Sequence, residues 1–259
     1  MIRARVTAAL LLSPGFAWAL EPPPREIQST LPGGAVTDVS LLVGAAGMIA
    51  AGTLAIDPSR AGRAPLDGLG HRDRVASTAL ASDLVFGVGA AATVGAGFWL
   101  EQRRGRRGLG LLRTPLIFTE AAALSLGVVS MVKNLGGVCR PRAWSDALAQ
   151  CAPASDDDLR AFPSGHTAPL AALAGASLAL WRLPHRHDSA YALLFGSSLA
   201  LAGANLILRV EAGAHSWVDT GVGFALGFGL GFATAALHVR VGSVSLGALP
   251  QGVALSGRF

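Results

Sequence analysis

The sequence is short of charged residues, and this shortage limits the class of protein to consider first. Charged residues make up 14% of the 259 residues, whereas hydrophobic residues make up 51%. Soluble domains carry about 25% charged residues, so the composition argues against an ordinary soluble protein. The chain also has 33 glycines, and small residues allow transmembrane helices to approach one another closely. The composition therefore favours a helical membrane protein.

Lysine is nearly absent as well, because Lys133 is the only one and the net charge of +5 comes from arginine. The arginines do not form a basic face interleaved with aromatic residues, so we expect no nucleic-acid partner. Many of them fall instead in two short segments, 101–113 and 182–189. Positively charged loops beside membrane spans face the cytoplasm. We therefore expect both segments to be cytoplasmic loops.

The chain has only two cysteines, Cys139 and Cys151, and both lie in one predicted loop. An even pair of cysteines in a loop outside the cytosol is typical of a disulfide. Two unlinked thiols are the alternative, and they are expected if this loop faces the cytosol. We predict the disulfide.

Composition divides the chain into four parts. Residues 1–19 resemble a signal peptide, with two arginines, a short apolar stretch and an Ala-Trp-Ala cleavage-like site. Residues 20–35 contain three consecutive prolines and are expected to form an unstructured lead-in. Residues 36–240 are predicted to form the membrane domain. For the tail, residues 241–259, a short β-hairpin and a disordered segment are equally compatible with the sequence.

Six apolar stretches in the membrane domain predict an all-α, six-helix transmembrane bundle. Each is close to the roughly 20 residues needed to cross a bilayer, and none shows the two-residue alternation of barrel strands. Gly223, Gly227 and Gly231 are spaced by four residues, so they share one face of the last helix and predict close packing there. The stretches are 36–56, 78–100, 114–135, 165–181, 190–208 and 217–237.

The signal-like N-terminus and the arginine-rich loops predict opposite orientations. If residues 1–19 are translocated, three full crossings place residues 133–140 in the cytoplasm. The arginine distribution and the cysteine pair place the same residues outside. Either the N-terminus is not translocated, or 36–56 or 78–100 does not cross completely. We favour the arginine distribution, which puts residues 133–140 on the periplasmic face of a bacterial-type inner membrane.

Three polar clusters interrupt the apolar chain, and all three fall at the same end of the predicted bundle. Residues 133–141 end the third stretch, residues 162–167 begin the fourth, and residues 209–219 join the fifth to the sixth. Between His166 and Arg209 lie 42 residues, which are enough for two antiparallel helices and a turn. The chain therefore returns to the face that it left, and residues distant in sequence can share one site there.

The cations of these clusters predict an anion-binding site at the membrane surface. Lys133, Arg140 and Arg209 would each cost at least about 2.5 kcal/mol if they were unpaired near the centre of a span, so a bound anion is a natural partner. Arginine offers a planar fork that matches phosphate oxygens. Ser164 and Gly165 lie at a helix start, where backbone N–H groups and the helix dipole favour an anion. The expected ligand is a tetrahedral oxyanion, most simply phosphate.

The histidines of the clusters predict phosphoryl transfer. His215 and Asp219 are one helical turn apart and so share a face. A carboxylate on one ring nitrogen fixes the tautomer and leaves the other nitrogen free to attack phosphorus. His166, in a separate cluster, can protonate the leaving oxygen. No compact set of His, Cys or carboxylate ligands stands out, so we predict no metal and no cofactor.

The three clusters together resemble the signature motifs of the type 2 phosphatidic acid phosphatase and vanadium haloperoxidase superfamily. The motifs are Lys-x6-Arg-Pro, Pro-Ser-Gly-His and Arg-x5-His-x3-Asp, and they occur in this order within residues 133–219. Each motif alone is weak, but the combination is specific. The resemblance implies phosphate binding by Lys133, Arg140 and Arg209 with help from Ser164 and Gly165, a general acid in His166, a nucleophile in His215 and an orienting partner in Asp219.

From these features we expect a metal-independent phosphatase that hydrolyses a lipid-linked phosphate monoester or diphosphate through a phosphohistidine. Its expected partners are a phospholipid or polyprenyl phosphate substrate and the surrounding membrane lipids. Three alternatives keep the same residues. They are a lipid phosphotransferase, a vanadate-dependent haloperoxidase, and a non-catalytic module that binds lipid phosphates.

Two further groups of carboxylates are expected to have ordinary structural roles. Asp83 and Glu120 lie inside predicted spans, where a single carboxylate more often pairs with a neighbouring helix than serves transport. The acidic run 156–158 is expected to be a solvated loop, because adjacent residues do not converge on a metal without a turn.

Overall fold

The computed structural model describes residues 26–27, 35–54, 63–66, 68, 70–183, 188–240, 244–249 and 252–257. The predicted signal peptide, residues 1–19, lies outside the described residues, as does most of the predicted lead-in. Within the described residues the chain is mainly helical, and the prediction of a six-helix, all-α bundle is confirmed. The helices are α1 Ala35–Leu54, α2 Ala76–Arg103, α3 Arg113–Gly136, α4 Thr167–Arg182, α5 Ser189–Glu211 and α6 Trp217–Leu237.

Four of these helices are long and apolar enough to cross a membrane. They are α2, α5, α6, and α3 together with the short 3-10 turn before it. α1 is apolar over the shorter range Asp38–Gly52, and α4 has 16 residues. The outer helices expose large apolar side chains such as Val88 of α2 and Leu193 of α5, as expected for surfaces that face lipid.

α4 is the central helix, since nearly all of its side chains are buried. It packs most closely against α6, and glycines of α6 make this possible. A Cβ atom at Gly227 would lie 2.0 Å from the carbonyl oxygen of Ala168, and one at Gly231 would lie 1.9 Å from that of Ala172. The predicted glycine face on the last helix is therefore confirmed, and its partner is α4.

α1 runs alongside α3 in the same direction. The Nδ2 of Asn134, near the end of α3, donates to the carbonyl oxygen of Ala51, near the end of α1, at 3.1 Å. Near the other end of both helices, Asp38 of α1 lies close to Glu120 of α3. α2, which lies between α1 and α3 in the sequence, runs in the opposite direction. The start of α1 is therefore at the same end of the bundle as the arginine-rich connection between α2 and α3.

This arrangement bears on the conflict between the two predicted orientations. α1, α2 and α3 alternate in direction; α2 and α3 are long and apolar enough to cross a membrane, whereas α1 is apolar only over Asp38–Gly52. A cytoplasmic position for segment 101–113 places the start of α1 in the cytoplasm as well. Both orientations therefore stay predictions.

Three short antiparallel strand pairs complete the described structure. β1 Glu26–Ile27 pairs with β4 Val239–Arg240, beyond the end of α6. β2 Trp144–Ser145 pairs with β3 Gln150–Cys151 in the connection between α3 and α4. β5 Val244–Leu249 pairs with β6 Gly252–Gly257, so the tail forms the hairpin, one of its two predicted alternatives.

Candidate active site

The connection between α3 and α4 forms a cap over one end of the bundle. α3 ends at Gly136 and is capped by Gly137, whose φ of 56° is in the left-handed region that glycine adopts without strain. The chain then returns across the bundle end, and the Cys139 N–H donates to the carbonyl oxygen of Arg63 at 2.8 Å. A disulfide joins Cys139 to Cys151. These contacts fix the backbone on both sides of Arg140.

Arg140 is buried, with a relative exposure of 4%, and its guanidinium is held on several sides. Its Nη2 donates to Asp157 Oδ1 at 2.7 Å, and its Nε donates to the carbonyl oxygen of Asp157 at 2.8 Å. Its Nη1 donates to the carbonyl oxygen of Ala214 at 3.1 Å and lies 3.5 Å from Nε2 of His215. Burial lowers the pKa of Arg140, and the negative charge of Asp157 opposes this shift. The guanidinium thus lies directly beside the predicted nucleophile.

Lys133 reaches the same end of the bundle from the last turn of α3. Its Nζ donates to the carbonyl oxygen of Arg160 at 2.9 Å. The side chain passes over Gly165, where an added Cβ atom would lie 3.5 Å from the lysine Cε and 3.7 Å from its Nζ. A residue larger than glycine at position 165 would therefore come into contact with the lysine. The first two motifs meet at this point.

The Ser164 backbone is held against the start of α6. Its N–H donates to the carbonyl oxygen of Asp219 at 2.9 Å, and its Oγ lies 3.1 Å from Oγ1 of Thr167. The approach is close because a Cβ atom at Gly223 would lie 2.9 Å from the Ser164 carbonyl oxygen. The second motif therefore packs on the helix that follows the third.

His215 is fully buried in the turn between α5 and α6. Its Nδ1 lies 3.7 Å from Oδ2 of Asp219, which is ion-pair distance and longer than a hydrogen bond. The same Oδ2 accepts a hydrogen bond from the Ser216 N–H at 2.8 Å, and the Ser216 Oγ accepts one from the Asp219 N–H at 3.1 Å. Asp219 thus closes a capping box at the start of α6. Its carboxylate is held on the Nδ1 side of the imidazole, and Arg140 is on the Nε2 side.

Burial lowers the pKa of His215 well below its usual value, and the positive charges of Arg140, Lys133 and Arg209 lower it further. The imidazole is therefore neutral at pH 7. A neutral imidazole with its proton on Nδ1, toward Asp219, has a lone pair on Nε2. That lone pair points toward the cationic side of the site.

His166 ends the second motif, immediately before α4, and it contacts α2. Its Nε2 lies 3.3 Å from Oδ1 of Asp83, and its ring packs edge-on against Phe86 at a centroid distance of 4.9 Å. Burial and the positive charge of Arg209 lower the pKa of His166 to about 4, while the negative charge of Asp83 acts in the opposite direction. A nearby dianion would also favour the protonated form that a general acid requires.

Arg209, at the end of α5, contacts the same carboxylate. Its Nη1 donates to Asp83 Oδ1 at 3.1 Å and to Ser82 Oγ at 3.1 Å. Asn205, one turn earlier, donates from Nδ2 to the carbonyl oxygen of Ser82 at 2.7 Å. These bonds fix α2 against α5. Asp83 therefore contacts both His166 of the second motif and Arg209 of the third.

The structure brings all eight predicted site residues to one end of the bundle, around the connection between α3 and α4 and the turn between α5 and α6. It also adds two carboxylates that the sequence did not identify as part of the site, Asp83 and Asp157. The expectation of a solvated acidic loop at 156–158 holds for Asp156 and Asp157, which are exposed, although Asp157 also pairs with Arg140. It is wrong for Asp158, which is buried and pairs with Arg142. The expected helix partner of Asp83 is found, and it is Arg209 of α5.

Comparison with known proteins supplies a family for this arrangement. Residues 114–242 match the family model of the PAP2 superfamily. No curated protein and no solved structure matched the chain. The matched segment begins at the start of α3 and contains all three motifs. α1 and α2, and with them Asp83, lie before it.

Proposed function

The chain belongs to the PAP2 superfamily, whose members are phosphatases in general, and on this basis we propose that it hydrolyses a lipid-linked phosphate monoester or diphosphate through a phosphohistidine. The observation that carries the proposal is the position of His215. The imidazole is buried and neutral, with a carboxylate on its Nδ1 side and Arg140 3.5 Å from Nε2. A phosphoryl group bound by the arginine would lie directly in front of the nucleophilic nitrogen.

In the first step, Nε2 of His215 attacks phosphorus, and the bond from phosphorus to the leaving oxygen breaks. His166 transfers its proton to that oxygen, and the alcohol or phosphate leaving group departs. The imidazole gains positive charge during the attack, and the Asp219 carboxylate stabilises the proton on Nδ1. The enzyme is left with a phosphoryl group on His215 and a neutral His166.

In the second step, the oxygen of a water molecule attacks phosphorus, and the bond from phosphorus to Nε2 breaks. His166 takes the proton that the water loses, and inorganic phosphate is released. Both histidines return to their initial states. The same residue is acid in one step and base in the other.

The cations supply the electrostatic stabilisation that the transferring phosphoryl group requires. Lys133, Arg140 and Arg209 approach the site from three different elements, so their charges surround the equatorial oxygens. In the described structure the two arginines pair with Asp157 and Asp83, whose side chains are more than half exposed. Each pair thus joins a buried arginine to a carboxylate that can turn to solvent, and we propose that a phosphate dianion replaces the carboxylates as the arginines' partner.

A lipid-linked substrate fits the surroundings of the site. Next to Asp83, the α2 side chains of Leu80 and Leu84 are exposed, and so are Trp217 and Val218 at the start of α6. A headgroup can therefore enter the site while its acyl or prenyl chain remains in the bilayer. The arginine-rich connection at the opposite end supports an orientation in which the site faces the periplasm.

The test is phosphate release from a panel of lipid phosphates by the full chain in detergent, combined with trapping of the intermediate. The panel contains phosphatidic acid, phosphatidylglycerol phosphate and a polyprenyl diphosphate. With ³²P-labelled substrate and rapid denaturation at alkaline pH, we expect an acid-labile label on the protein, which is the behaviour of phosphohistidine. The label should be absent from His215→Ala and present in His71→Ala, whose histidine is exposed and outside the site.

Two other outcomes would redirect the proposal. Transfer of the phosphoryl group to added alcohols in preference to water would identify a phosphotransferase. Turnover that persists in His215→Ala would contradict the phosphohistidine mechanism.

A further inference from the structure

At the end of the bundle opposite the active site, three ionisable side chains meet in the interior. Asp38 belongs to the first turn of α1, Glu120 to the second turn of α3, and His238 follows the last residue of α6. Their relative exposures are 3%, 1% and 5%. One donor atom from each residue can be chosen so that all three atoms lie within 4.8 Å of one another. Three helices distant in sequence thus place oxygen and nitrogen donors around one point.

The protein groups around this cluster compensate its two carboxylates only in part. His238 Nε2 lies 2.7 Å from Glu120 Oε2, and its Nδ1 lies 3.8 Å from Asp38 Oδ1. Both oxygens of Asp38 and Oε1 of Glu120 have no hydrogen-bond partner among the described residues. A buried carboxylate without a partner is strongly unfavourable. Even a protonated His238 would neutralise only one of the two negative charges.

A buried carboxylate elsewhere at the same end of the bundle shows the usual solution. Glu101, near the end of α2, is 1% exposed; its Oε1 accepts hydrogen bonds from Arg104 and from Thr114, and its Oε2 has no hydrogen-bond partner in the described part of the chain. Its charge is therefore matched by a guanidinium. Among the described side chains, Asp38 and Glu120 have only His238 as a base within ion-pair distance.

We propose that Asp38, Glu120 and His238 bind a divalent transition-metal ion. Two carboxylate oxygens and one imidazole nitrogen are a ligand set that Zn²⁺ and its neighbours in the first row accept. The ion would neutralise both carboxylates and would occupy the coordinating oxygens that now have no partner. Its role is structural, because the site lies at the opposite end of the bundle from His215.

The metal would attach α1 to the part of the chain that matches the family. Glu120 and His238 lie within residues 114–242, whereas Asp38 lies before them. In the described structure α1 packs mainly along α3. A coordination bond from Asp38 would attach the first turn of α1 to both α3 and α6. The packing of small side chains alone would attach it more weakly.

The experiment measures metal binding by the purified full chain in detergent. After removal of bound metal with a chelator and dialysis, the protein is titrated with Co²⁺, a spectroscopic substitute for Zn²⁺, and then with Zn²⁺ in competition. We expect one Co²⁺ per chain with visible absorption bands, displaced by Zn²⁺. We also expect Zn²⁺ to raise the Tm, because it binds the folded state.

Matched variants assign the site. Asp38→Asn and Glu120→Gln keep the size of each side chain but remove the charge, and each should weaken Co²⁺ binding by about 100-fold or more, since even outer-shell changes cost about 10- to 100-fold. Glu101→Gln removes a buried carboxylate that already has an arginine partner, and it should bind Co²⁺ as the unmodified chain does. If Asp38→Asn does not fold, the titration of the unmodified chain and of Glu120→Gln still decides.

Three outcomes would overturn the metal site. The first is the absence of saturable Co²⁺ and Zn²⁺ binding. The second is binding that survives in both Asp38→Asn and Glu120→Gln, and the third is a loss of binding in Glu101→Gln as large as in those two variants. The absence of metal binding would mean that shared protons neutralise the carboxylates of Asp38 and Glu120. All three readouts are independent of phosphate release, so failure of the metal site and failure of the proposed phosphatase activity are distinguishable.

Discussion

Each end of the helical bundle contains a buried histidine near carboxylates, but the neighbours of the two histidines differ in charge. At the active-site end, Nε2 of His215 faces Arg140, and Lys133 and Arg209 add positive charge. At the opposite end, both ring nitrogens of His238 face carboxylates, those of Asp38 and Glu120. The first environment suits an anion, and the second suits a cation.

The difference also concerns which charges can exchange partners. The carboxylates that pair with Arg140 and Arg209 are more than half exposed, so they can turn to solvent when a phosphate takes their place beside the arginines. The carboxylates that face His238 are buried and have oxygens without hydrogen bonds. A ligand there would remain bound as part of the fold. The same residue types thus form an exchangeable site at one end and, as we infer, a permanent one at the other.

The largest expected effect is that of His215→Ala on turnover. Removal of a nucleophile from a preorganised site typically lowers kcat by about 10⁴-fold or more. Phosphate release from the preferred lipid measures this loss. Because the cations remain, calorimetric titration should show inorganic phosphate binding within about tenfold of the unmodified protein.

His71→Ala is the control, since His71 is an exposed histidine that contacts Trp144 and Asp73 outside the site. It should retain normal turnover. Loss of phosphate affinity in His215→Ala as severe as the loss of kcat would mean that the histidine acts in binding and not as the nucleophile.

Arg140→Lys is expected to have the next largest effect. A lysine keeps the positive charge but offers no planar fork, so it cannot contact the Ala214 carbonyl oxygen and two oxygens of a phosphoryl group together. Loss of one preorganised donor typically lowers kcat by about 10²-fold. Steady-state kinetics measure the change, with Arg106→Lys in the exposed connection before α3 as the control. Equal activity of the two variants would show that only the charge at position 140 matters.

Asp83→Asn should produce a smaller effect with a distinctive pH dependence. The carboxylate raises the pKa of His166, which burial and Arg209 lower to about 4. Without the Asp83 carboxylate the pKa of His166 falls further. At a pH above that pKa, the protonated fraction of His166 falls about tenfold for each pH unit. The alkaline limb of the kcat profile should therefore move to lower pH. Measured at pH 7, kcat should fall about tenfold for each unit by which the pKa of His166 decreases.

The choice of substrate separates proton donation from a merely structural role of Asp83. A nitrophenyl phosphate has a leaving group that departs without a proton, so its kcat should change much less in Asp83→Asn than that of an alkyl phosphate. Asp83→Glu, which keeps the charge, should recover part of the loss. An equal loss with both substrates and an unshifted pH profile would contradict the role proposed for this residue.

Asp83 also shows where prediction from the sequence ends. The six helices could be predicted because runs of apolar residues of nearly span length are separated by polar connections. The eight site residues could be predicted to meet because each motif lies at a helix end and consecutive helices alternate in direction. Which face of α2 meets His166 depends on the rotation of that helix about its axis. That rotation is set by packing contacts such as the bond from Asn205 to Ser82, and no local pattern encodes it.

The cluster of Asp38, Glu120 and His238 was beyond prediction for the same reason. Glu120 and His238 are separated by 118 residues, and each is an isolated ionisable residue in an apolar surrounding. The ion pair of Asp157 with Arg140 was also beyond prediction, because the backbone of the cap is fixed by distant contacts, such as the Arg140 N–H donating to the carbonyl oxygen of Asp158 at 2.7 Å. In both cases the partners are determined by how distant segments pack.

The smallest expected effect on turnover is that of chelation, and it tests the two ends of the bundle in one sample. Lys133, Arg140 and Arg209 provide the positive charge that a metal would otherwise bring to the phosphoryl group, so EDTA should change initial phosphate release by less than about twofold. The same treatment should remove the metal bound at His238 and lower the Tm. Metal content, Tm and activity are measured on one preparation before and after chelation. If activity falls in proportion to metal content and returns with Zn²⁺, either the phosphoryl site is metal-dependent or the two ends are coupled. Titrating Glu120→Gln with EDTA distinguishes these possibilities, because a metal requirement at the phosphoryl site would persist in that variant.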